Sequence, residues 1–179
     1  MRVVRRLRSE SGFGMIELLF AIVLLNVGIL TIIAAFSSTS FTLGRAAAVS
    51  SATALADKQM ESYRARPNCA IYLSSSSFTS AQSNTTYTGD VAYSSSEFTD
   101  STTPQSPIPS TCTSGVPSTL TSATQTLQGP DGRNLRVDTY ITQIQPTNGG
   151  YTKQVVVVVR NPTTLLTYVR EASTFDPSS

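Results

Sequence analysis

The chain has 179 residues, which is enough for one modest domain and a membrane anchor. Only 13% of its residues are charged, and its mean hydropathy is near zero. Four of the 13 basic residues and one of the 11 acidic residues lie within residues 1–12, so the rest carries 9 basic against 10 acidic side chains. Such a near-neutral remainder argues against direct nucleic-acid binding, which needs a basic surface.

A run of apolar residues follows the basic leader of residues 1–12. It covers residues 13–36, and apart from glycines it is interrupted only by Glu17, Asn26 and Thr31. As a helix the run would be about 36 Å long, enough to cross roughly 30 Å of hydrocarbon. The arginines before it would keep the N-terminus in the cytoplasm and place the bulk of the chain outside.

Two common kinds of segment share part of this pattern. A secretory signal peptide has an apolar core of about 7–15 residues with a cleavage site after it, and this run is longer. A plain signal anchor fits the length but gives no purpose to Glu17, since an ionised carboxylate at a helix centre costs roughly 2.5–3.5 kcal/mol on insertion scales. The position of this acid therefore needs another explanation.

The sequence SGFGMIE, residues 11–17, resembles the processing motif of the type IV pilin superfamily. In that family a membrane peptidase cuts before the apolar run, the new N-terminus is methylated, and an acid stands fifth in the mature chain. The resemblance implies cleavage between Gly12 and Phe13, N-methylation of Phe13, and an assembly role for Glu17. Gly14 and Met15 differ from the residues most common at their positions.

The resemblance also implies a set of partners. Glu17 would meet the terminal amine of Phe13 in a neighbouring subunit, and this pairing would remove the cost of burying either charge alone. The alternative is that Glu17 snorkels to the cytoplasmic interface. Expected partners are other pilin subunits through the N-terminal helix, the prepilin peptidase and methylase, the inner-membrane assembly platform and the lipid bilayer. The expected location is the cytoplasmic (inner) membrane, as a single-pass protein, and then the pilus at the cell surface.

Residues 37–66 are predicted to extend the same helix beyond the membrane, because the chain contains no proline before Pro67. Ala34 stands where major pilins usually carry a proline, so the resemblance is closer to minor pilins of the pilus-modification class. It covers residues 1–66. An amphipathic stripe recurs at spacings of three and four residues: Val49, Ala52, Ala56, Met60 and Tyr63.

Residues 67–130 are predicted to form a Ser/Thr-rich surface loop region, because aliphatic residues are few and prolines are several. A variable loop without a fixed role and an adhesive or glycosylated surface both fit this composition. Asn84 begins an N-glycosylation sequon by pattern alone.

Residues 131–179 are predicted to form β-strands, because 134–145 alternates apolar and polar residues and 151–160 is rich in β-forming valine. Three strands are predicted, at 134–145, 151–160 and 164–174, with turn signals between them. One apolar face of this antiparallel meander would pack on the helix stripe, since three strands alone are marginally stable. The predicted fold class is α+β and pilin-like, with a long N-terminal helix, its hydrophobic half transmembrane, packed on a small antiparallel sheet.

The two cysteines, Cys69 and Cys112, both follow the membrane segment and would lie outside the cytoplasm. They permit one disulfide, which would close a loop of about 44 residues; two free thiols are the alternative. Since the chain has no histidine, neither a metal site nor a Ser-His-Asp arrangement is expected. No cofactor is expected, and the protein is expected to be a substrate of enzymes, not an enzyme.

The expected function is that of a minor pilin subunit of a type IV pilus, aiding assembly or contact at the tip or surface. Alternatives are a minor pseudopilin of a type II secretion system and a pilin of a DNA-uptake system. From a different class, a membrane-anchored surface adhesin that forms no filament remains open.

Overall fold

A computed structural model describes residues 14–102, 112, 114–144 and 152–176 of the chain. The chain divides into two compact units, Met1–Arg45 and Ala46–Ser179. A single helix, α1, extends from Met15 to Arg64 and so belongs to both units. The predicted helical continuity through residues 37–66 is confirmed as far as Arg64.

In the first unit the side chains of α1 are exposed from Met15 to Leu43. The Ser/Thr-rich turns after the apolar run are helical, and their hydroxyls donate to carbonyls of the preceding turn. Ser37 donates to the carbonyl of Ile33 at 3.1 Å, and Thr39 donates to that of Ala35 at 2.9 Å. Such bonds satisfy hydroxyl groups locally without interrupting the backbone ladder.

In the second unit α1 buries one stripe of side chains. The predicted stripe is confirmed at four of its five positions, and the fifth, Val49, is half-buried. Leu55 and Gln59 add to the buried face. A helix that is polar on its other sides must place this stripe against the rest of the domain. The fully buried positions are Ala52, Ala56, Met60 and Tyr63.

The stripe and an antiparallel sheet share one hydrophobic core. The four strands are β1 (Thr124–Gln128), β2 (Asn134–Ile144), β3 (Thr152–Arg160) and β4 (Thr167–Phe175), in the spatial order β1-β2-β3-β4. Each neighbouring pair is antiparallel, with Val137 opposite Val159 and Ile141 opposite Val155. The predicted α+β architecture of a long helix packed on a small antiparallel sheet is confirmed.

The number of strands differs from the prediction of three. β1 lies inside the segment predicted to be loop, and it was missed because TQTLQ contains one apolar residue and no clear alternation. Its position is fixed by pairing with β2, with Thr124 opposite Asp138 and Leu127 opposite Leu135. The turn between them passes close to α1, since a Cβ on Gly129 would come within 2.3 Å of the Ser51 hydroxyl.

Much of the predicted loop region 67–130 is ordered structure, so that prediction is wrong for its described residues. It contains a 3₁₀ turn, Asn68–Ala70, and three short helices: α2 (Ser75–Gln82), α3 (Thr85–Thr88) and α4 (Ser118–Thr121). The composition did not predict this structure because the buried side chains of the region are few and far apart in the sequence. They include Ile71, Leu73, Phe78, Tyr87, Phe98 and Leu120. Short polar side chains also cap these helices, since the side chains of Ser74 and Asn84 accept backbone N–H groups at the starts of α2 and α3.

Candidate membrane and assembly segment

Helix α1 begins immediately after Gly14. The carbonyl of this residue accepts the backbone N–H of Glu17 at 2.9 Å and that of Leu18 at 3.2 Å. The predicted cleavage residues, Gly12 and Phe13, lie outside the described residues, so the processing prediction rests on the sequence. In the sequence this junction lies two residues before Met15, the first residue of α1.

Glu17 lies in that first turn with its side chain exposed. It is the only charged residue between Glu10 and Arg45. A carboxylate near a helix N-terminus is stabilised by the helix dipole, by about 0.3–1 kcal/mol. Among the described residues no cationic side chain forms an ion pair with it.

The apolar surface of the same helix is uncovered. Fifteen large apolar side chains between Met15 and Phe36 are each about half exposed or more. By length and composition α1 could serve as a single membrane span. Large apolar side chains on every side of a helix are typical of a segment surrounded by lipid or by other apolar helices.

A disulfide lies beyond the other end of α1. Cys69 in the 3₁₀ turn is bonded to Cys112, with their Cα atoms 5.7 Å apart and a sequence separation of 43. The predicted disulfide is confirmed, and the alternative of two free thiols is excluded. A cleft of about 450 Å³ lies beside Cys112, lined by the end of α1 and by α4, and Arg66 is the one charged residue among the described residues that line it. Within the described residues no group of three His, Cys, Asp or Glu side chains could hold a metal ion.

The sheet carries a row of charges that sequence reasoning missed. We call it the charge ladder: Arg136, Asp138, Arg160, Asp90 and Arg170. Asp138 accepts from Arg136 at 2.8 Å and from Arg160 at 3.0 Å, and its side chain is 0% exposed. It also accepts from the Thr124 hydroxyl.

The far end of the charge ladder joins the segment after α3 to the sheet. Asp90 accepts from Arg160 and, at 2.7 Å, from Arg170. Burial alone would raise the pKa of Asp90, but the hydrogen bond and charge of Arg170, with the charge of Arg160, hold the pKa below its usual value. The i, i+2 spacing of Arg136 and Asp138 on one strand face was the available signal for such a row.

Two further buried charges attach residues 67–102 to the sheet. The Glu97 carboxylate accepts the backbone N–H groups of Ser94 at 3.0 Å and Ile141 at 2.6 Å. Lys153 donates to the carbonyls of Asn68 at 2.6 Å and Ile71 at 2.8 Å. Burial raises the pKa of the Glu97 carboxyl to about 7 and lowers that of the Lys153 ammonium to about 8. These contacts hold residues 67–102 against the sheet.

No family model matches the chain, and no curated protein or solved structure matches it either.

Proposed function

We propose that this protein is a membrane-anchored subunit of a pilus-like filament, of the minor pilin kind. One observation carries the proposal: a lone carboxylate, Glu17, stands in the first turn of an exposed apolar helix, directly after the Gly12–Phe13 junction. The same helix continues into the second unit, where its buried stripe packs on the sheet. An acid at this position serves no purpose in a passive anchor, where it only raises the cost of insertion.

Processing would give the acid its partner. Cleavage before Phe13 would create an amine four residues ahead of Glu17, about 6 Å along a helix axis at 1.5 Å per residue. A neighbouring subunit displaced by that distance would bring its amine level with Glu17. Breaking a buried pair by removing one partner costs about 3–5 kcal/mol, enough to exclude a subunit from an assembly.

The first test is the mature N-terminus. Mass spectrometry of membrane-extracted protein is expected to find a chain that starts at N-methylated Phe13. Gly12→Val is expected to block cleavage and leave the full-length chain in the membrane, while Gly28→Val is the matched control, because nothing lies within 4 Å of the site of its added side chain. A mature chain that retains Met1 or is cut after Phe36 would overturn the proposal.

The second test separates insertion from assembly. Glu17→Ala and Glu17→Gln are expected to insert and to be cleaved normally but to be depleted from sheared surface fibres of a host with a pilus system. Glu61→Ala removes an exposed acid from the later part of α1 and is expected to enter fibres at the wild-type ratio. Recovery of Glu17→Ala at that same ratio would leave Glu17 with no role in assembly.

A further inference from the structure

Asn26 is the most polar uncharged side chain within the apolar run. It stands about 2 Å along the helix axis from the middle of residues 13–36, at a rise of 1.5 Å per residue. Its side chain is exposed on α1. No group among the described residues bonds to its amide.

Thr31 in the same run shows the contrast. Its hydroxyl donates to the carbonyl of Gly28 at 2.7 Å, so it needs no partner outside the helix. The Asn26 amide makes no such local bond and brings two N–H donors and one carbonyl acceptor. In hydrocarbon, unpaired groups of this kind are costly, and polar side chains of membrane helices pair with those of neighbouring helices.

The residues around Asn26 form a seam on one side of the helix. Four large apolar side chains precede and follow it at alternating spacings of four and three: Leu19, Val23, Leu30 and Ile33. All four are exposed. These are the a/d spacings of a two-helix contact, with Asn26 at a d position, and Asn side chains of membrane helices form hydrogen bonds across such contacts.

The side of the helix opposite Asn26 carries small residues and the acid Glu17. At 100° per residue, Ala21, Gly28 and Ala35 lie on the face away from Asn26, and Glu17 lies on that face too. The seam is therefore separate from the acid to which an assembly role is assigned. A contact through the seam would leave Glu17 free for another partner.

We propose that the seam binds a second copy of this chain, in a parallel pair of membrane helices joined by reciprocal hydrogen bonds between their Asn26 amides. The proposal rests on the proposed membrane anchoring. Every copy inserts in the same orientation, because the same basic leader directs it. Asn26 then stands at the same depth in each copy, and an amide is self-complementary, with a donor for the acceptor of its twin.

Cysteine cross-linking in native membranes tests this on the full chain. Both natural cysteines are in the disulfide, so an introduced cysteine is the only free thiol. Ile33→Cys lies on the seam, and Ile32→Cys is a matched control of the same residue type, depth and exposure, at 56% and 57%, turned by 100°. Oxidation is expected to give a band at twice the monomer mass for Ile33→Cys and little for Ile32→Cys.

The role of the amide is tested in the Ile33→Cys background. Adding Asn26→Leu is expected to lower the cross-linked fraction, with the association constant falling about 3- to 30-fold, the range for one hydrogen bond between membrane helices. Asn26→Gln keeps both donor and acceptor and is expected to retain most of the cross-link. A cross-link that survives Asn26→Leu unchanged overturns the proposal.

The remaining outcomes separate this inference from the proposed function. Membrane-inserted, cleaved protein with equal cross-linking at both positions would refute the seam but leave the pilin proposal standing. A cross-link from Ile33→Cys only to a different protein would also refute pairing of like chains. Absence of the chain from the membrane fraction would refute the anchoring, and both proposals with it.

Discussion

Asp138 is the position where one substitution most directly tests the packing of the sheet. Asp138→Asn keeps the shape of the side chain but removes the charge that Arg136 and Arg160 share. The carboxylate is 0% exposed and both arginines are largely buried, so water cannot replace it. Removing one member of a buried ion pair costs about 3–5 kcal/mol. We therefore expect the free energy of unfolding to fall by about 4 kcal/mol.

The measurement is urea unfolding of the detergent-extracted protein, followed by tyrosine fluorescence, since the chain has seven tyrosines and no tryptophan. With an m-value of about 2 kcal/mol/M, a loss of this size lowers the urea midpoint by about 2 M. Glu61→Gln is the control, because the Glu61 side chain is 72% exposed and its pair with Arg64 spans 3.3 Å at the surface. It is expected to change stability by less than about 0.5 kcal/mol. A loss below about 1 kcal/mol in Asp138→Asn, at an unchanged m-value, would refute the reasoning.

Three further changes test other parts of the second unit. Cys112→Ser opens the disulfide to Cys69, and loss of the cross-link across 43 residues is expected to cost about 4 kcal/mol on the chain-entropy model, measured as the unfolding midpoint with and without reductant. Tyr87→Phe removes a buried hydroxyl that donates to the Thr139 carbonyl at 2.9 Å, so a loss of about 1–2 kcal/mol is expected in the same assay, and no loss would show that the bond contributes nothing. Glu97 has a folded pKa of about 7, above its usual 4.5, so its proton is held more tightly in the folded state. The free energy of unfolding is then expected to fall as pH rises from about 4.5 through 7, by up to about 3 kcal/mol, and Glu97→Gln should remove this slope; equal slopes in both proteins would contradict the assignment.

The elements that could be predicted from the sequence are those with a regular pattern of apolar or β-forming residues. The stripe on α1 and the strand β2 are predictable because their apolar side chains recur with the period of the element that they form, and β3 is predictable because its run of valines is strongly β-forming. The β2 prediction of 134–145 agrees with Asn134–Ile144 in the structure, and the β3 prediction of 151–160 agrees with Thr152–Arg160. β4 begins at Thr167, later than predicted, because Leu165 and Leu166 belong to the turn, where Leu165 has φ of +59°.

Burial carried by isolated residues could not be predicted in this way. Tyr87 stacks on Tyr140 with ring centroids 4.5 Å apart, although 52 residues of mostly polar sequence separate the two. The same holds for the charge ladder, whose members come from residues 90 to 170. The register of β2, β3 and β4 brings the four ladder residues of the strands to one face of the sheet. Asp90 reaches that face from the segment after α3.

In the candidate membrane and assembly segment, too, some residues could be predicted from the sequence and others could not. Glu17 and the cysteine pair were found because their chemistry conflicts with, or is rare in, their surroundings. Asn26 met the same criterion, since it is polar among apolar residues, but its significance depends on which neighbours share its side of the helix. That sidedness follows once residues 15–64 are known to form one uninterrupted helix.

The two parts of α1 have different requirements for burial. From Ala46 onward the helix satisfies its single stripe within its own domain. From Met15 to Phe36, fifteen large apolar side chains are each about half exposed or more in the part of the chain that the structure describes. Removing a large apolar side chain from water is worth about 1.5–3 kcal/mol, so covering this surface with lipid or with other apolar helices would be favourable. By length and composition this part of α1 could serve as a single membrane span. Of its polar residues, Thr31 bonds to the Gly28 carbonyl within the helix, and Glu17 and Asn26 are the positions where surrounding molecules would have to supply matching chemistry.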